Sequence, residues 1–379
     1  MGKAGVICEF NPFHNGHKFL LRNIKAEYAD DIICIMSGHF VQRGDIAICD
    51  KYIRTKAALN NGADMVVELP TVYAVSSSKI FAENGVLVAK SLGCNIICFG
   101  AEDSLEELLK ISKFLKSSDA QNIIKEQMSN GEYYPKALYN AINKRLGKDL
   151  ADISKKPNNI LALEYIAACK KYDIKPIAIK RTGTDHDSEK TAGIYTSASN
   201  IRKMIKGGEN YENFTPMTIE NYAELEKIES AILYKIKTSS AEEVKNLADI
   251  SEGLENRIIK IAKSKNSINE LLDALKTKRY THARLRRILI YALLDISNQM
   301  QHTPTPYIRV LGINQNKTYL MKNSELPLIT KVASGYKALD RDAQKIFDID
   351  IKASEIFSIA LQGNDNISLN EFNQQIIKL

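Results

Sequence analysis

The chain has 379 residues, of which 44% are hydrophobic, 26% charged and 7% aromatic. These proportions are typical of soluble globular proteins and exclude a disordered chain or a collagen-like fibre. The length predicts two or three domains. The formal net charge of +7, from 52 basic and 45 acidic residues, permits a nucleic-acid partner without requiring one. Because the apolar runs are shorter than the roughly 18 residues of a membrane helix, we expect a cytoplasmic protein without membrane association.

Six cysteines are scattered along the chain, mostly inside apolar runs and without any C-x-x-C pair. They are Cys8, Cys34, Cys49, Cys94, Cys98 and Cys169. This pattern is typical of buried free thiols in a reducing compartment. It argues against disulfides and against a structural zinc site.

The first hundred residues alternate short apolar runs with amphipathic stretches. The apolar runs predict strands at Ala4 to Phe10, Asp31 to Ser37, Asp64 to Leu69 and Asn95 to Gly100. The amphipathic stretches predict helices at Gly16 to Tyr28, Asp50 to Asn61, Ser76 to Ser91 and Ser104 to Lys116. Strands that are apolar on both faces and separated by helices indicate a parallel sheet covered on both sides. We therefore predict an α/β, Rossmann-like domain with its ligand site at the carboxyl ends of the strands.

The rest of the chain divides into three further patterns. A helical stretch follows from about residue 119 to 171, and then come a strand at Pro176 to Lys180 and a helix at Ser197 to Ile205. Residues 218 to 301 show helical periodicity, and the sequence TPTP at 303 to 306 interrupts it. A further strand is predicted at Tyr307 to Gly312. We divide the chain into an α/β domain (1–212), a helical region (213–302) and a small C-terminal α/β element (303–379).

The most informative segment is Gly5 to Leu20, where an apolar strand leads through Asn-Pro-Phe into His14-Asn15-Gly16-His17 at the start of a helix. A helix N-terminus offers unpaired N–H groups and a positive dipole end, and Gly16 lets a phosphate approach the backbone. Two imidazoles three residues apart can donate hydrogen bonds as charge builds on a leaving pyrophosphate. One alternative is that one histidine merely caps the helix. Another is a zinc site, which lacks a third ligand nearby.

The segment His14 to His17 resembles the HIGH motif of the nucleotidylyltransferase superfamily. The surrounding sequences EFNPFHNGH, MSGHFVQRGDIAICDKYIRTKAAL, VVELP and FGAE resemble the bacterial tRNA(Met) cytidine acetate ligase family. The resemblance is dense up to about residue 205 and thinner afterwards. It implies an enzyme that activates acetate with ATP as acetyl-adenylate and releases pyrophosphate. The acetyl group then passes to the exocyclic amine of the wobble cytidine in elongator tRNA(Met), which forms N4-acetylcytidine.

The resemblance also implies roles for single residues. Catalytic roles fall on His14, His17, Ser197 and Arg202. ATP contacts fall on the strand-to-helix segment and on five later positions: Ile7, Cys8, Glu9, Phe10, Asn11, Pro12, Phe13, His14, Asn15, Gly16, His17, Lys18, Phe19, Leu20, Gly100, Asn158, Arg181, Thr182 and Ser199. We expect Mg²⁺ to accompany ATP without a dedicated carboxylate cage, so no protein metal site is predicted.

A serine-rich turn at Thr196 to Lys203 resembles the second signature of the superfamily. It can offer hydroxyls and amides to the β and γ phosphates, while Arg202 adds a cation. At Asn200 the family more often has Ser or Thr. His186 and Asp187 match the family, but Thr184-Asp185 before them does not, and their role stays open. For Asn158 the alternative is a helix N-cap, and for Arg181 an exposed strand end.

The loop after the second strand can cover the nucleotide or acetate. Its candidates are Ser37, Gly38, His39 and Arg43. The alternative for the glycines Gly38, Gly44 and Gly100 is an ordinary turn. The charges on the next helix, Lys51, Arg54 and Lys56, could form a solvated face.

The segment KTKRYTHARLRR, from Lys276 to Arg287, has six basic residues in twelve and no acidic one. If the segment is one helix, Arg279, Arg286 and Arg287 fall near one face, which suits RNA phosphates. The alternative is a solvated helix face, and the family context favours contact with tRNA. The predicted tRNA-binding residues are Lys276, Lys278, Arg279, Arg284, Arg286 and Arg287.

There are two rival functions, and the first of them uses the same phosphate site. An adenylyltransferase acting on a small phosphorylated acceptor would leave residues 218 to 379 without a purpose. A non-catalytic tRNA-binding protein would have no need of His14, His17, Ser197 and Arg202 together. The sequence predicts neither the oligomeric state nor the residues that read the anticodon.

Overall fold

A computed structural model of the chain describes residues 2–181, 191, 193–251, 253–361 and 369–379. Its strands, in chain order, are β1 (Gly2–Cys8), β2 (Ala29–Ser37), β3 (Phe40–Val41), β4 (Asp45–Ile46), β5 (Met65–Leu69), β6 (Ile96–Ala101), β7 (Lys175–Lys180), β8 (Ile308–Ile313), β9 (Leu328–Ile329) and β10 (Ile377–Lys378). Each strand predicted from the sequence is present, with its ends shifted by up to two residues.

The helices cover most of the remaining described chain. In the first half they are α1 (Asn15–Glu27), α2 (Lys51–Asn60), α3 (Thr71–Ala74), α4 (Ser78–Ser91), α5 (Leu105–Leu115), α6 (Ser118–Ser129), α7 (Tyr134–Leu146), α8 (Lys148–Ile153), α9 (Pro157–Tyr172) and α10 (Ala198–Gly207). In the second half they are α11 (Glu229–Thr238), α12 (Ala241–Lys245), α13 (Leu254–Ala262), α14 (Ile268–Leu275), α15 (His282–Leu294), α16 (Asn298–His302), α17 (Val332–Ala338) and α18 (Arg341–Ala360). Short 3-10 helices lie at Leu225–Ile228, Gln315–Met321 and Glu371–Asn373. Among the described residues, every helix is too short or too polar to span a lipid bilayer.

The main sheet has the strand order β10-β8-β5-β2-β1-β6-β7, with β9 beside β8. The pairs from β5 to β7 are parallel. The chain builds the sheet outward from β1 through β2 to β5, and then returns to the other side of β1 for β6 and β7. This reversal makes a crevice at the carboxyl ends of β1 and β6, where open parallel sheets bind their ligands.

Both faces of the sheet are covered, as the apolar strands predict. Ile33 and Ile35 of β2 pack into one hydrophobic core with α4 and α9. Ile32 and Cys34, which point to the opposite face, pack into a second core with α1 and α2. Because successive side chains of a strand alternate between faces, a strand buried on both sides needs apolar residues throughout.

The C-terminal segment differs from the separate element expected from the sequence. Its strand β8 pairs antiparallel with β5, and β10 pairs parallel with β8, so the segment extends the main sheet. All six residues of β8 are buried. A short apolar strand predicts burial but does not say which sheet edge buries it, so the sequence could not place this one.

Candidate active site

The turn after β1 is held in a strained conformation by distant partners. Phe10 is buried and has a φ of 47°, which is uncommon for a residue with a side chain. The next residue, Asn11, accepts a hydrogen bond on Oδ1 from the N–H of Ile48 at 2.7 Å. The guanidinium of Arg202 donates to the Asn11 carbonyl at 2.7 Å. The turn that leads to the histidine pair is therefore fixed by both the second strand's loop and α10.

His14 and His17 form a reciprocal cap at the start of α1. The Nδ1 atom of His14 accepts from the N–H of Gly16 at 3.0 Å, and the Nδ1 atom of His17 accepts from the N–H of His14 at 3.2 Å. The two rings are stacked, with centroids 3.8 Å apart. Since each Nδ1 is an acceptor, each neutral ring carries its proton on Nε2. The pair thus presents two N–H donors at a helix N-terminus.

Both imidazoles are neutral at physiological pH. Burial lowers the pKa of His14 to about 3, and the positive charges of Arg181 and Arg202 add to this effect. Burial also lowers the pKa of His17 well below its usual value, and His14 and Arg181 contribute in the same direction. The histidines therefore act as hydrogen-bond donors and not as cations. The arginines supply the positive charge.

The histidine pair opens into a cleft between the carboxyl ends of β1, β6 and β7. The lining residues are His14, Gly16, His17, Phe19, Leu20, Gly100, Ile179, Lys180, Arg181, Tyr195 and Thr196. The structure thus brings together many of the predicted ATP contacts, and adds Ile179, Lys180 and Tyr195. The strand end at Lys180 was a signal for the first two, while nothing in the sequence indicated Tyr195.

Asn158 and Arg181 both interact with Glu102, which directly follows β6. The amide of Asn158 donates to Glu102 Oε1 at 2.7 Å, and the N-cap position of α9 belongs to Lys156. The capping alternative for Asn158 is therefore wrong. Glu102 also acts electrostatically on Arg181. A Cβ at Gly100 would lie 3.2 Å from Arg181 Cγ, so the glycine leaves room for this side chain.

The serine-rich turn caps α10 with its own side chains. Ser197 is the N-cap and accepts from the N–H of Asn200 at 3.1 Å. The hydroxyls of Ser197 and Ser199 lie 2.9 Å apart. Asn200 donates to the hydroxyl of Thr196 at 3.0 Å, so it closes the turn from within. The predicted residues Thr182, His186 and Asp187 lie outside the described part of the chain.

The loop after β2 contains the β3–β4 hairpin, and its candidates lie in different places. Arg43 is exposed at the hairpin tip. Ser37 and His39 are buried. The His39 ring stacks on Phe357 of α18 at 4.3 Å, and its Nδ1 lies 3.0 Å from Ser354 Oγ. These partners turn His39 toward the C-terminal segment, and His39 does not line the cleft.

The predicted solvated face of α2 is largely buried. Lys51 and Arg54 are fully buried, and Lys56 is exposed. Arg54 donates to the carbonyls of Glu9 at 2.7 Å, Ser37 at 3.0 Å and Gly38. It thus joins the carboxyl ends of β1 and β2. The solvated-face alternative is wrong for these two cations because strand-end carbonyls and buried carboxylates capture them.

Lys51 lies in a buried charged cluster that we call the sealed cluster, formed by Lys51, Glu68, Arg309 and Glu371. The ammonium of Lys51 lies 2.7 Å from Glu68 Oε1 and 2.6 Å from Glu371 Oε1. Arg309 of β8 pairs with both carboxylates. A Cβ at Gly38 would lie 2.3 Å from Glu68 Oε1. Gly38 is therefore needed to make room for the sealed cluster.

The basic segment is not one helix, which corrects the prediction of a single arginine face. Helix α15 begins at His282 after the cap Thr281, and Arg279 lies in the turn before it. Arg287 is buried and pairs with Asp249 Oδ2 at 2.8 Å. Arg284 donates to the Asp249 carbonyl at 2.6 Å. The exposed cations of the segment are Lys276, Lys278, Arg279 and Arg286.

Comparison with known proteins agrees with this geometry. The family model described as "HIGH Nucleotidyl Transferase" matches residues 1–372. The tRNA(Met) cytidine acetate ligase of Thermoanaerobacter sp. (strain X514) is 37% identical over the full length of both chains. The enzyme of the same name from Oceanobacillus iheyensis is 35% identical and covers 96% of this chain and 99% of its own. The chain belongs to the tRNA(Met) cytidine acetate ligase family.

Solved structures of this family share the whole architecture. The chain superimposes on Thermotoga maritima TmcAL, described as apo, with a TM-score of 0.91 and 25% identity, and the match covers both chains completely. A second structure of Thermotoga maritima TmcAL, bound with alpha-thio ATP, gives a TM-score of 0.89 at 25% identity over both full lengths. The family resemblance expected from the first 205 residues is therefore confirmed. The helical region and the C-terminal segment are part of the family's fold.

Proposed function

We propose that the chain is an ATP-dependent ligase that activates acetate as acetyl-adenylate and acetylates the wobble cytidine of elongator tRNA(Met). The product is N4-acetylcytidine. The observation that carries this proposal is the neutral pair His14 and His17, which holds two N–H donors at the N-terminus of α1 inside the cleft. In this proposal the site takes the phosphates of ATP, which agrees with the structure of Thermotoga maritima TmcAL bound with alpha-thio ATP. The tRNA substrate places the enzyme in the cytoplasm.

In the first step an acetate oxygen attacks the α-phosphorus and pyrophosphate leaves. Acetate is already an anion, so this step needs no general base. The chain must align the two reactants and stabilise the negative charge that develops on the leaving oxygens. The Nε2–H groups of His14 and His17 and the positive end of α1 can do this as preorganised donors. Arg181 and Arg202 act beside them as charges, since both influence His14.

Mg²⁺ enters with ATP in this proposal and is held mainly by the phosphates and by water. Among the described residues there is no group of three or more His, Cys, Asp or Glu side chains that could hold a metal ion. A Mg²⁺ ion bound to phosphates keeps several waters and needs few protein ligands. Bound there, it would offset phosphate charge.

We assign contact with tRNA phosphates to the exposed cations Lys276, Lys278, Arg279 and Arg286. The other two predicted residues, Arg284 and Arg287, hold α15 against Asp249. Exposed basic side chains without acidic neighbours in the segment suit the phosphate backbone, and contacts of this kind depend strongly on salt. In this proposal the four exposed cations bind tRNA, whereas Arg284 and Arg287 hold α15 in position.

The test is mass spectrometry of nucleosides from unmodified tRNA(Met) after incubation with the protein, ATP and ¹³C-labelled acetate. The proposal expects labelled N4-acetylcytidine at the wobble position, and none when ATP is omitted. Modification with acetyl-CoA in place of ATP and acetate would contradict it. AMP transfer to a small phosphorylated acceptor, with no change in tRNA, would favour the adenylyltransferase alternative.

A further inference from the structure

Glu9 is an acidic side chain at the carboxyl end of β1, and it has no role in the first reaction step as proposed. It directly follows β1 and precedes Phe10, at the crevice where the strand order of the sheet reverses. Its backbone carbonyl accepts from Arg54 at 2.7 Å. The strained residue Phe10 and the histidine pair follow at once in the chain. Glu9 is therefore held in place beside the phosphate-binding turn.

The side chain of Glu9 is oriented by the β3–β4 hairpin. The N–H of Gln42 donates to Glu9 Oε1 at 2.7 Å, and the Gln42 amide donates to the Ser76 carbonyl at 2.9 Å. Two residues further along, Gly44 has a φ of 73°, and a Cβ there would lie 2.4 Å from the backbone nitrogen of Arg287. The hairpin thus connects the Glu9 carboxylate to the start of α15, which carries the proposed tRNA contact Arg286.

Glu9 is also linked to α10 through Arg202. The guanidinium of Arg202 donates to the carbonyl of Asn11, two residues after Glu9, at 2.7 Å, and its charge acts on the Glu9 carboxylate. Glu9 is half-buried.

The surroundings of Glu9 leave it able to take up a proton. Burial raises the pKa of Glu9, and this exceeds the opposite effects of the Gln42 N–H and of three arginines. Five charged or titratable groups interact electrostatically with Glu9. They are Arg43 of the hairpin, Arg54 of α2, Arg202 of α10, Cys8 of β1 and Tyr165 of α9. Burial also raises the pKa values of Cys8 and Tyr165, so both stay neutral near pH 7.

We propose that Glu9 is the general base of acetyl transfer, accepting the proton that the cytidine amine releases. In this step the amine nitrogen forms a bond to the acetyl carbon. The bond from that carbon to the AMP oxygen breaks, and AMP leaves with the electron pair. The amine proton passes to Glu9 and then to solvent. The inference rests on the proposed function, because it needs acetyl-adenylate and a cytidine amine as reactants.

The alternative is that Glu9 only anchors the hairpin. The variant Glu9→Gln separates the two roles, because its amide oxygen still accepts the Gln42 N–H but no longer acts as a base. The matched control is Glu27→Gln, the same change at an exposed residue at the far end of α1.

The experiment bypasses ATP by mixing full-length protein with synthetic acetyl-adenylate and tRNA(Met), with N4-acetylcytidine followed by mass spectrometry across pH. In the wild type and Glu27→Gln, transfer should rise with pH through a range above the usual titration of glutamate. In Glu9→Gln it should be about 10²- to 10⁴-fold slower, as is typical of a lost general base, and the pH-dependent rise should disappear. Acetate-dependent pyrophosphate exchange should fall far less than transfer.

Transfer by Glu9→Gln at the wild-type rate, with the wild-type pH profile, would overturn the role of Glu9 alone. A wild type that transfers nothing from acetyl-adenylate would overturn the proposed function itself. If Glu9→Gln does not fold, Glu9→Asp decides: it keeps a carboxylate, so the pH-dependent rise should persist at a reduced rate. Transfer that is independent of pH in both the wild type and Glu9→Asp would also refute the proposal.

Discussion

The main sheet is open at one half of its carboxyl edge and covered at the other half. At the carboxyl ends of β1 and β6 the sheet opens into the cleft, where His14 and His17 cap the start of α1 through hydrogen bonds with nearby residues. At the carboxyl ends of β2 and β5 the sheet is closed by the C-terminal segment, and the sealed cluster lies beneath it. The open half keeps neutral donors for a ligand. In the closed half the charges of the sealed cluster pair with one another and are not available to a ligand.

The sealed cluster is balanced by two cations and two carboxylates. Burial alone would lower the pKa of Lys51, but Glu371 and Glu68 raise it above its usual value. Burial would likewise raise the pKa of Glu371, but Lys51 and Arg309 hold it far below its usual range. Lys51 and Glu371 therefore stay charged, and removal of one of them leaves a buried charge with less compensation.

The largest expected effect is on stability, from a change in the closed half. Lys51→Met should lower the free energy of unfolding by about 3 to 5 kcal/mol, because Glu68 and Glu371 then lose one of the two cations that they share. Urea denaturation followed by circular dichroism measures this. Lys56→Met, an exposed position on the same helix, is the control and should change stability by less than about 0.5 kcal/mol. Equal stability of the two variants would mean that the cluster is not sealed from water.

The matching change in the open half should affect chemistry and not stability. His17→Ala should slow acetate-dependent pyrophosphate exchange by about 10²- to 10³-fold, the usual cost of one lost preorganised donor. Affinity for tRNA should be almost unchanged, since the proposed tRNA contacts lie elsewhere. Exposed His302 supplies the control, His302→Ala. Exchange at the wild-type rate in His17→Ala would show that the histidine pair does not stabilise the leaving pyrophosphate.

The same contrast explains what the sequence could predict. The start of α1 at the histidine pair was predictable because the hydrogen-bond partners of His14 and His17 lie within three residues. The strands were predictable because both faces of the sheet demand apolar residues. By contrast, Lys51 meets Glu371 from 320 positions away, and His39 meets Ser354 from 315 positions away. No local pattern carries such pairings, so charges that looked solvated on α2 were in fact buried.

Proton linkage gives a third, smaller effect at the histidine pair. His14 has a pKa of about 3 when folded and about 6.5 when unfolded, so the unfolded chain binds more protons between these pH values. The wild type should therefore lose stability as the pH falls below about 6.5. His14→Asn keeps a good N-cap residue and removes the imidazole that takes up a proton on unfolding. Its stability should fall less steeply with acid, by up to about 1.4 kcal/mol per pH unit, in urea titrations from pH 6.5 to 5. Parallel curves would show that His14 titrates normally.

The smallest effect concerns the basic segment, where neighbouring arginines divide between the two kinds of role. Replacing Arg279 and Arg286 by Ala should weaken tRNA binding and reduce the slope of log affinity against log salt by about 0.7 to 0.9 for each lost contact. Arg287→Ala should lower stability instead, because Asp249 loses its partner. Filter binding at several salt concentrations measures the slope. An unchanged slope in the double variant would show that Arg279 and Arg286 are solvated side chains that do not contact tRNA phosphates.

The most direct test of the account is acetate-dependent exchange of labelled pyrophosphate into ATP by the wild-type protein without tRNA. The account predicts exchange with acetate present, because the proposed adenylate chemistry uses the cleft of the open half and does not require tRNA. Exchange should be absent without acetate and should not be restored by acetyl-CoA. A protein that acetylates tRNA(Met) but shows no acetate-dependent exchange under any condition would contradict the central claim that the histidine pair serves acetyl-adenylate formation.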